Sequence, residues 1–587
     1  MRMMITGFFF APAAAVVATL LQLPTATGPI ARAGPRSRAP DSARLVRGAH
    51  SAQSSFESFR RLRLPIQERG SGPCDIRVGR YCYWRGDDDE GDPPDEDRRI
   101  RERRDELIRA LDEAAHAAPS DRWVAGQLVR YLVEAGRAEE GRGYASQDCG
   151  ASTDWCAALT GYAAHAARAY AAADSAFERA LAAMEPGERC QWLDVSDMLD
   201  GESAKHYDAM DCPARERFFR RAARLGAPLY SVSTTDLFTE HLSRVTRSRM
   251  AEQSSAPDGV GWGDDVKELM TRYGWPRWYS RSVPPIGSQL EPSITGHDAG
   301  MPYDFLPRLH AIDHSGHIAD DDWKLDDARA STGYAPAYAR TVHDLPSQVA
   351  NFRRGDSVLV VAAWDARKDT TLIGRELEAT LNVVGDSGPV SRTSRVLPSG
   401  ERGSLTRGSI AAMAAIDSGV ASLELVAAKE RRAARRRIGV PARTRAGIEL
   451  SDVLLYTGSY TGSTEMVTRL EQVRDSMLTS TDLTTRVVGA YWEVYGVSAT
   501  SGPVQFSLSV EPFDIGWTRR LAQHVGLADP ASGLRLQWDD APRTVNGILG
   551  RGVKVDLSRL RGGKYRLTLT ATTRDGAATA SREIEVR

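Results

Sequence analysis

Three histidines lie close together in HAIDHSGHIADDDW: His310, His314 and His317, with Asp313 among them and Asp320, Asp321 and Asp322 behind. On a helix these spacings would set the imidazoles on one face, as three zinc ligands with a fourth position open, the arrangement of a metal-dependent hydrolase. Gly316 and the aspartates favour a polar interdomain loop instead, and no Glu stands between the histidines as a zinc-protease motif requires. A second stretch, GWGDDVKELMTRYGWPRWYSRS, crowds aromatic residues and glycines around the adjacent Asp264 and Asp265. Neighbouring carboxylates in extended chain point to opposite sides, so the pair lacks the separation of about 5–10 Å that glycoside hydrolysis uses. A structural hub fits better: glycines beside Trp262 and Trp275 let the backbone turn tightly, and an Asp caps the turn or the short helix VKELMTRYG.

Other chemistry is scarcer. The sequence has no Gly-x-Ser-x-Gly elbow, no phosphate-binding loop and no dinucleotide fingerprint, and no cofactor is expected. The six cysteines, Cys74, Cys82, Cys149, Cys156, Cys190 and Cys212, are spaced wrongly for zinc and pair up along the chain as neighbours. Structural disulfides are expected, with nearest-neighbour pairing one of several connectivities.

The elements that must position these residues change character along the chain. Residues 1–33 read as a secretory signal: Arg2, an apolar run from Ile5 to Leu23 broken by Pro12, then Ala31-Arg32-Ala33 for cleavage. Export to a periplasmic or extracellular space would let the cysteines oxidise, and no later segment is apolar enough to span a membrane. Residues 34–97, rich in Pro, Gly, Ser and the acidic run RGDDDEGDPPDEDRR, read as a disordered linker. Residues 98–204 turn helical. Ile100, Leu107, Ile108, Leu111 and Ala115 share one helix face, and Asp121 and Gly136 bracket a second helix. The stretch GYAAHAARAYAAADSAFERALAAMEP is similar to a tetratricopeptide repeat, with Gly161, Ala173, Phe177 and Ala180 at its spacing. Beyond residue 340, period-two alternation in DSVLVVAAWD, VQFSLSVEP and GGKYRLTLTATTRDGAATASREIEV predicts antiparallel strands in two β-sandwich domains, 341–446 and 447–587. The basic stretch KERRAARRRIGVPAR near their junction reads as a solvated linker or strand edge rather than an anion-binding surface.

The hub also carries a resemblance. Gly261, Trp262 and Asp265, followed by Tyr273, Gly274 and Pro276, stand at the spacing of the Gly-Trp-x-Thr-Asp and Tyr-Gly-x-Pro elements of the GWxTD domain of bacterial exported proteins. Asp264 takes the place of the motif's Thr, and the likeness extends over roughly residues 205–587, with 205–340 as the GWxTD-like domain. It implies a secreted protein with tetratricopeptide-like helices and a C-terminal β domain, of unknown biochemical activity, and brings no catalytic residues with it.

The expected architecture is therefore multidomain α + β: a helical array, a GWxTD-like hub and antiparallel β-sandwiches. With 76 Lys and Arg against 77 Asp and Glu, the net charge of −1 offers no field for nucleic acid. The expected function is non-enzymatic binding or assembly with a protein partner at the cell envelope. The alternatives are the metal-dependent hydrolase using His310, His314 and His317, and a carbohydrate-binding envelope protein displaying Trp364, Trp492 or Trp538 on a sheet face.

Overall fold

The computed structural model describes residues 39–66, 74, 76–79, 81–84, 94–282, 292–297, 303, 305–317, 320–323, 333–334, 336–367, 369–397, 407–442, 447–458, 467–498, 502–513 and 533–587. The expected leader and the acidic run 87–92 lie outside these residues. A helical N-terminal region is followed by a region of antiparallel sheets.

The segment expected as a disordered linker is partly ordered. Ala39–Arg61 forms helix α1, whose Ala49, Gln53, Phe56, Glu57 and Arg60 are buried. These positions recur at helical spacing, but three of them are polar or charged, so a search for apolar periodicity passes over the stripe. Helix α1 packs on α2 (Arg98–Ala117) and shares a core with α3 (Arg122–Glu134).

The sequence marks the next boundaries well. Asp121 accepts a bond from the Val124 N–H at 3.0 Å and starts α3. At its end Gly136, at φ 75°, donates to Val133 and Arg137 donates to Leu132, a glycine-centred stop that satisfies the last carbonyls.

Helices α4 (Ala138–Gln147), α5 (Thr153–Ala166) and α6 (Tyr170–Ala183) continue the layer. A Cβ on Gly161 would come within 2.8 Å of the Phe177 ring, so glycine is what lets α5 and α6 close together. After α7 (Pro186–Trp192), α8 (Gly201–Asp208) and α9 (Cys212–Gly226) comes α10 (Asp236–Ala251), which packs against α3, α5, α6 and α9 and is buried along nearly its whole length. One hydrophobic cluster runs from Ala125 to Ala433, crossing the boundaries expected at 204/205 and 340/341. The cysteines pair as sequence neighbours: Cys74–Cys82, Cys149–Cys156 and Cys190–Cys212, with Cα separations of 5.5, 5.9 and 5.7 Å.

The hub is a four-stranded sheet with one helix on it. Its strands are β1 (Ile76–Val78), β2 (Tyr81–Trp84), β3 (Trp278–Arg281) and β4 (Ile294–His297), in the order β1-β2-β4-β3 with β2 and β4 parallel. Residues 76–79 and 81–84, expected as linker, are thus half of the hub, because Tyr81 and Tyr83 bury their rings under Val266, Leu269 and Met270 of α11 (Asp264–Tyr273).

The strand region begins at Thr341. Strands β5 (Thr341–Asp344), β6 (Ser347–Arg354), β7 (Ser357–Asp365), β8 (Leu377–Gly385), β9 (Gly388–Leu397), β10 (Arg407–Ala414), β11 (Gly419–Ala427) and β12 (Arg432–Val440) form sheets ordered β10-β7-β6 and β5-β12-β11-β8-β9 over one core. A second sheet pair, containing Val487–Tyr495, Val504–Pro512 and the hairpin Gly563–Thr573/Gly576–Val586, has its own core.

The basic stretch is neither linker nor edge: β12 lies between β5 and β11, with Arg435 and Arg437 buried. Arg435 Nη1 donates to the Pro228 carbonyl at 2.5 Å and Arg437 Nη1 to that of Leu225 at 2.6 Å, closing the end of α9. On the adjacent strand Glu424 accepts the Tyr230 and Ser231 N–H groups at 2.8 and 2.9 Å. Cations at helix carbonyls and a carboxylate at the next amides join the helical and strand halves.

Candidate functional site

Helices α1, α2, α3, α5 and α10 meet the hub around a cleft of about 520 Å³. Its aromatic wall comes from the hub: Trp275, Trp278 and Tyr279, with Pro276. The facing wall is charged and belongs to the helices.

Glu134, at the end of α3, is the centre of that wall. It accepts from Arg60 Nη1 at 3.0 Å, Arg130 Nε at 3.2 Å and Arg247 Nη2 at 2.5 Å. Behind it the fully buried Glu57 takes two bonds from Arg60 at 2.9 Å, one from Arg130 at 3.2 Å and one from the Tyr131 hydroxyl at 2.6 Å. Burial by itself would raise the Glu134 pKa, but the guanidiniums of Arg60, Arg247 and Arg130 outweigh it and hold the carboxyl well below the usual range. Arg247 also lies over the Trp275 ring, 4.7 Å from its centroid.

A second acidic group follows on α10. Glu240 sits 2.8 Å from His165 Nε2 and 2.6 Å from Arg244 Nε; burial pushes its pKa up, yet Arg244 and His165 bring it down to about 2. One turn earlier on the same helix, Asp236 is met by the Tyr338 hydroxyl at 2.5 Å and that of Tyr334 at 3.4 Å. With phenols in place of guanidiniums, burial prevails and pushes Asp236 up to about 6.

Arg244 explains the hub motif. Its Nη1 donates to the Thr271 and Arg272 carbonyls at 3.1 and 2.8 Å, capping the end of α11, and its Nη2 donates to Gly333 at 2.7 Å. Gly274 follows the helix at φ 91°, and a Cβ there would stand 3.0 Å from the same guanidinium. Trp275 then turns back to stack on Trp262, centroids 5.7 Å apart and planes 6° from parallel. Tyr273, Gly274 and Trp275 line a smaller adjoining cleft, and Tyr83 donates to the Tyr273 carbonyl at 2.9 Å. Gly261, Asp264 and Asp265 are exposed and outside both linings. The aspartates do not cap α11: Gly263 holds that position, and they occupy the first turn, where the helix dipole favours negative charge.

Of the histidines expected to share a helix face, His310 and His314 keep their rings 5.7 Å apart, but no helix carries all three. Helix α12 (Leu309–Asp313) carries His310 and ends before His314, and His317 follows in a turn. His310 Nδ1 is instead 3.2 Å from Asp322. Among the described residues no group of three His, Cys, Asp or Glu side chains is placed to hold a metal ion, so the three-imidazole face of the hydrolase reading is not built. Of the indoles of the carbohydrate reading, Trp364 and Trp492 are fully buried, while Trp538 is half-buried and packs on Phe506 and Trp492 with centroids 5.4 and 6.0 Å away. Ser280 Oγ does lie 2.8 Å from His297 Nε2, a nucleophile–base distance, but both are buried, with Trp278 stacked on the imidazole at 3.7 Å.

Sequence reading reached the hub wall of the cleft and missed Arg60, Glu134, His165, Glu240 and Arg247. A signal existed in EHLSRVTR: Glu240, Arg244 and Arg247 recur at four and three residues, a charged stripe on one helix face.

No family model matches the chain, and no curated protein does. Among solved structures, the crystal structure of red sea bream transglutaminase aligns at 10% identity over 42% of this chain and 32% of that one, with a TM-score of 0.13. A biofilm-associated protein BSP domain aligns at 12% identity over 41% and 29%, with a TM-score of 0.18. The chain thus spans about a third of the length of these structures.

Proposed function

We propose that this is an exported envelope protein that works by binding a protein partner, not by catalysis, and that the cleft between helices and hub is the contact site. One observation carries this reading: Glu134 and Glu240, the inner carboxylates of the cleft, are both locked by arginine and held ionised. General acid–base catalysis works best with a pKa near the operating pH, whereas these groups fix charge in place. The three disulfides support an oxidising location, and no helix among the described residues is long and apolar enough to cross a membrane. In the same reading the hub is a GWxTD-like domain, α5 and α6 are a tetratricopeptide-like pair, and the strand region is two β-sandwiches.

The test is site-specific crosslinking. A photoreactive residue replacing Arg277, exposed at the cleft rim, is expected to capture a protein in the native envelope that the same residue at the exposed Arg543 does not. That protein, once purified, should bind the full chain and lose affinity for a Trp278→Ala variant. Equal capture from both positions, or none, overturns the reading.

A further inference from the structure

The charged wall of the cleft is out of balance. Arg60, Arg130 and Arg247 contact only two carboxylates among the described residues, Glu57 and Glu134, leaving one surplus positive charge. Buried charge without compensation is expensive, and proteins keep it where something binds. The surplus also has a position. Arg60 spends all three guanidinium nitrogens on Glu57 and Glu134, and Arg130 spends its own on Glu57, Glu134, Gln127 and Ser254. Arg247 does not: its side chain is 9% exposed, Nη2 holds Glu134, and the buried Nη1 has no hydrogen-bond partner. Arg104, 8% exposed and lining the same cleft, bonds Glu96 through Nη2 while its buried Nε has no partner.

We propose that the cleft anchors its ligand by a carboxylate held at Arg247 and Arg104, with an apolar or aromatic body against Trp275 and Trp278. This rests on the reading of the cleft as a binding site and names the group it recognises. A carboxylate carries the one negative charge that the surplus matches. A phosphate would bring a second charge toward Glu134 and Glu240, both already ionised. Guanidinium donors and an indole wall suit a planar anion on a flat body, such as the C-terminal carboxylate of a peptide.

Calorimetric titration of the full chain at low salt tests this with three probes: N-acetyl-phenylalanine, its amide, and glucuronate. The acid is expected to bind at least about tenfold more tightly than the amide, the scale of a charge-assisted hydrogen bond. Arg247→Lys keeps a cation for Glu134 but offers no second nitrogen in a fixed fork, and it should weaken the acid about tenfold without changing the amide. Should that variant fail to fold, Arg104→Lys in the cleft lining is expected to act in the same direction. Equal binding of acid and amide overturns the proposal, as does an acid affinity unmoved by either substitution. If neither carboxylate binds while crosslinking from position 277 persists, the carboxylate inference falls and the binding reading stands. If the crosslink is absent too, both fall. Binding of glucuronate in place of N-acetyl-phenylalanine keeps the carboxylate and overturns the protein partner.

Discussion

Helix α10 passes through two environments that treat a carboxylate in opposite ways. At its start Asp236 meets the hydroxyls of Tyr338 and Tyr334 and is pushed up to about 6 by burial. One turn on, Glu240 is largely but not fully enclosed, and Arg244 and His165 bring it down to about 2. Burial opposes charge in both places, so the difference lies in what each carboxylate touches: a phenol donates one hydrogen bond, while a guanidinium brings a full positive charge through a low dielectric. The arginine-rich side builds the cleft wall, and the tyrosine side ties α10 to the segment that leads into the strands.

The sharpest way to break this contrast is Glu134→Gln. It leaves Arg60, Arg130 and Arg247 around a neutral amide, and should lower unfolding free energy by about 3–5 kcal/mol in urea titration, the scale for stranding a buried partner. Asp236→Asn should act oppositely. The folded pKa of Asp236 is raised above its ordinary value of 3.8, so the folded state holds the extra proton and stability falls as pH rises from about 4 through about 6. Removing that titration is expected to stabilise the protein at pH 7.5, by up to about 3 kcal/mol, and to flatten thermal midpoints between pH 4 and 6. A variant less stable at every pH would show that the Tyr338 bond outweighs the burial cost.

Gly274→Ala should cost about 2 kcal/mol, from a positive φ joined to contact with the Arg244 guanidinium, and should lower the thermal midpoint accordingly. Glu240→Gln sharpens the other side of the contrast at low pH. The depressed pKa of Glu240 gives stability that is present above its ordinary value of 4.5 and lost as pH falls through about 2. The variant should therefore show a shallower acid limb than the parent. Smallest of all, His314→Ala at an exposed position should change stability by less than about 0.5 kcal/mol and leave zinc content by elemental analysis unchanged. Stoichiometric zinc lost in that variant would return the histidine segment to consideration.

Much of this molecule is readable from local pattern. Apolar residues at helical spacing place α2, Asp121 and Gly136 mark the two ends of α3, and the alternation of Tyr565, Leu567 and Leu569 against Ile584 and Val586 places the last hairpin. What escaped shares one cause. The buried stripe of α1 is half polar, β12 reads RAARRRIGV, and the cleft wall is made of arginine and glutamate. Rules that equate charge with solvent assign all three to the surface. The histidine spacing failed for a different reason: i, i+4 and i+7 share a face only while the helix lasts, and α12 stops at Asp313.

The sequence by itself thus determined the helical-then-strand order and the Tyr-Gly turn of the hub, because short-range sterics and apolar periodicity act within a few residues. Only the tertiary structure decided that Tyr81 pairs beside Ile294, that Arg435 and Arg437 close α9, and that Arg60, Arg130 and Arg247 converge on Glu134. A charged side chain enters the interior where charge or dipoles meet it, and the groups that bring these elements together, such as Arg60 and Arg247 on Glu134, lie far apart in the chain.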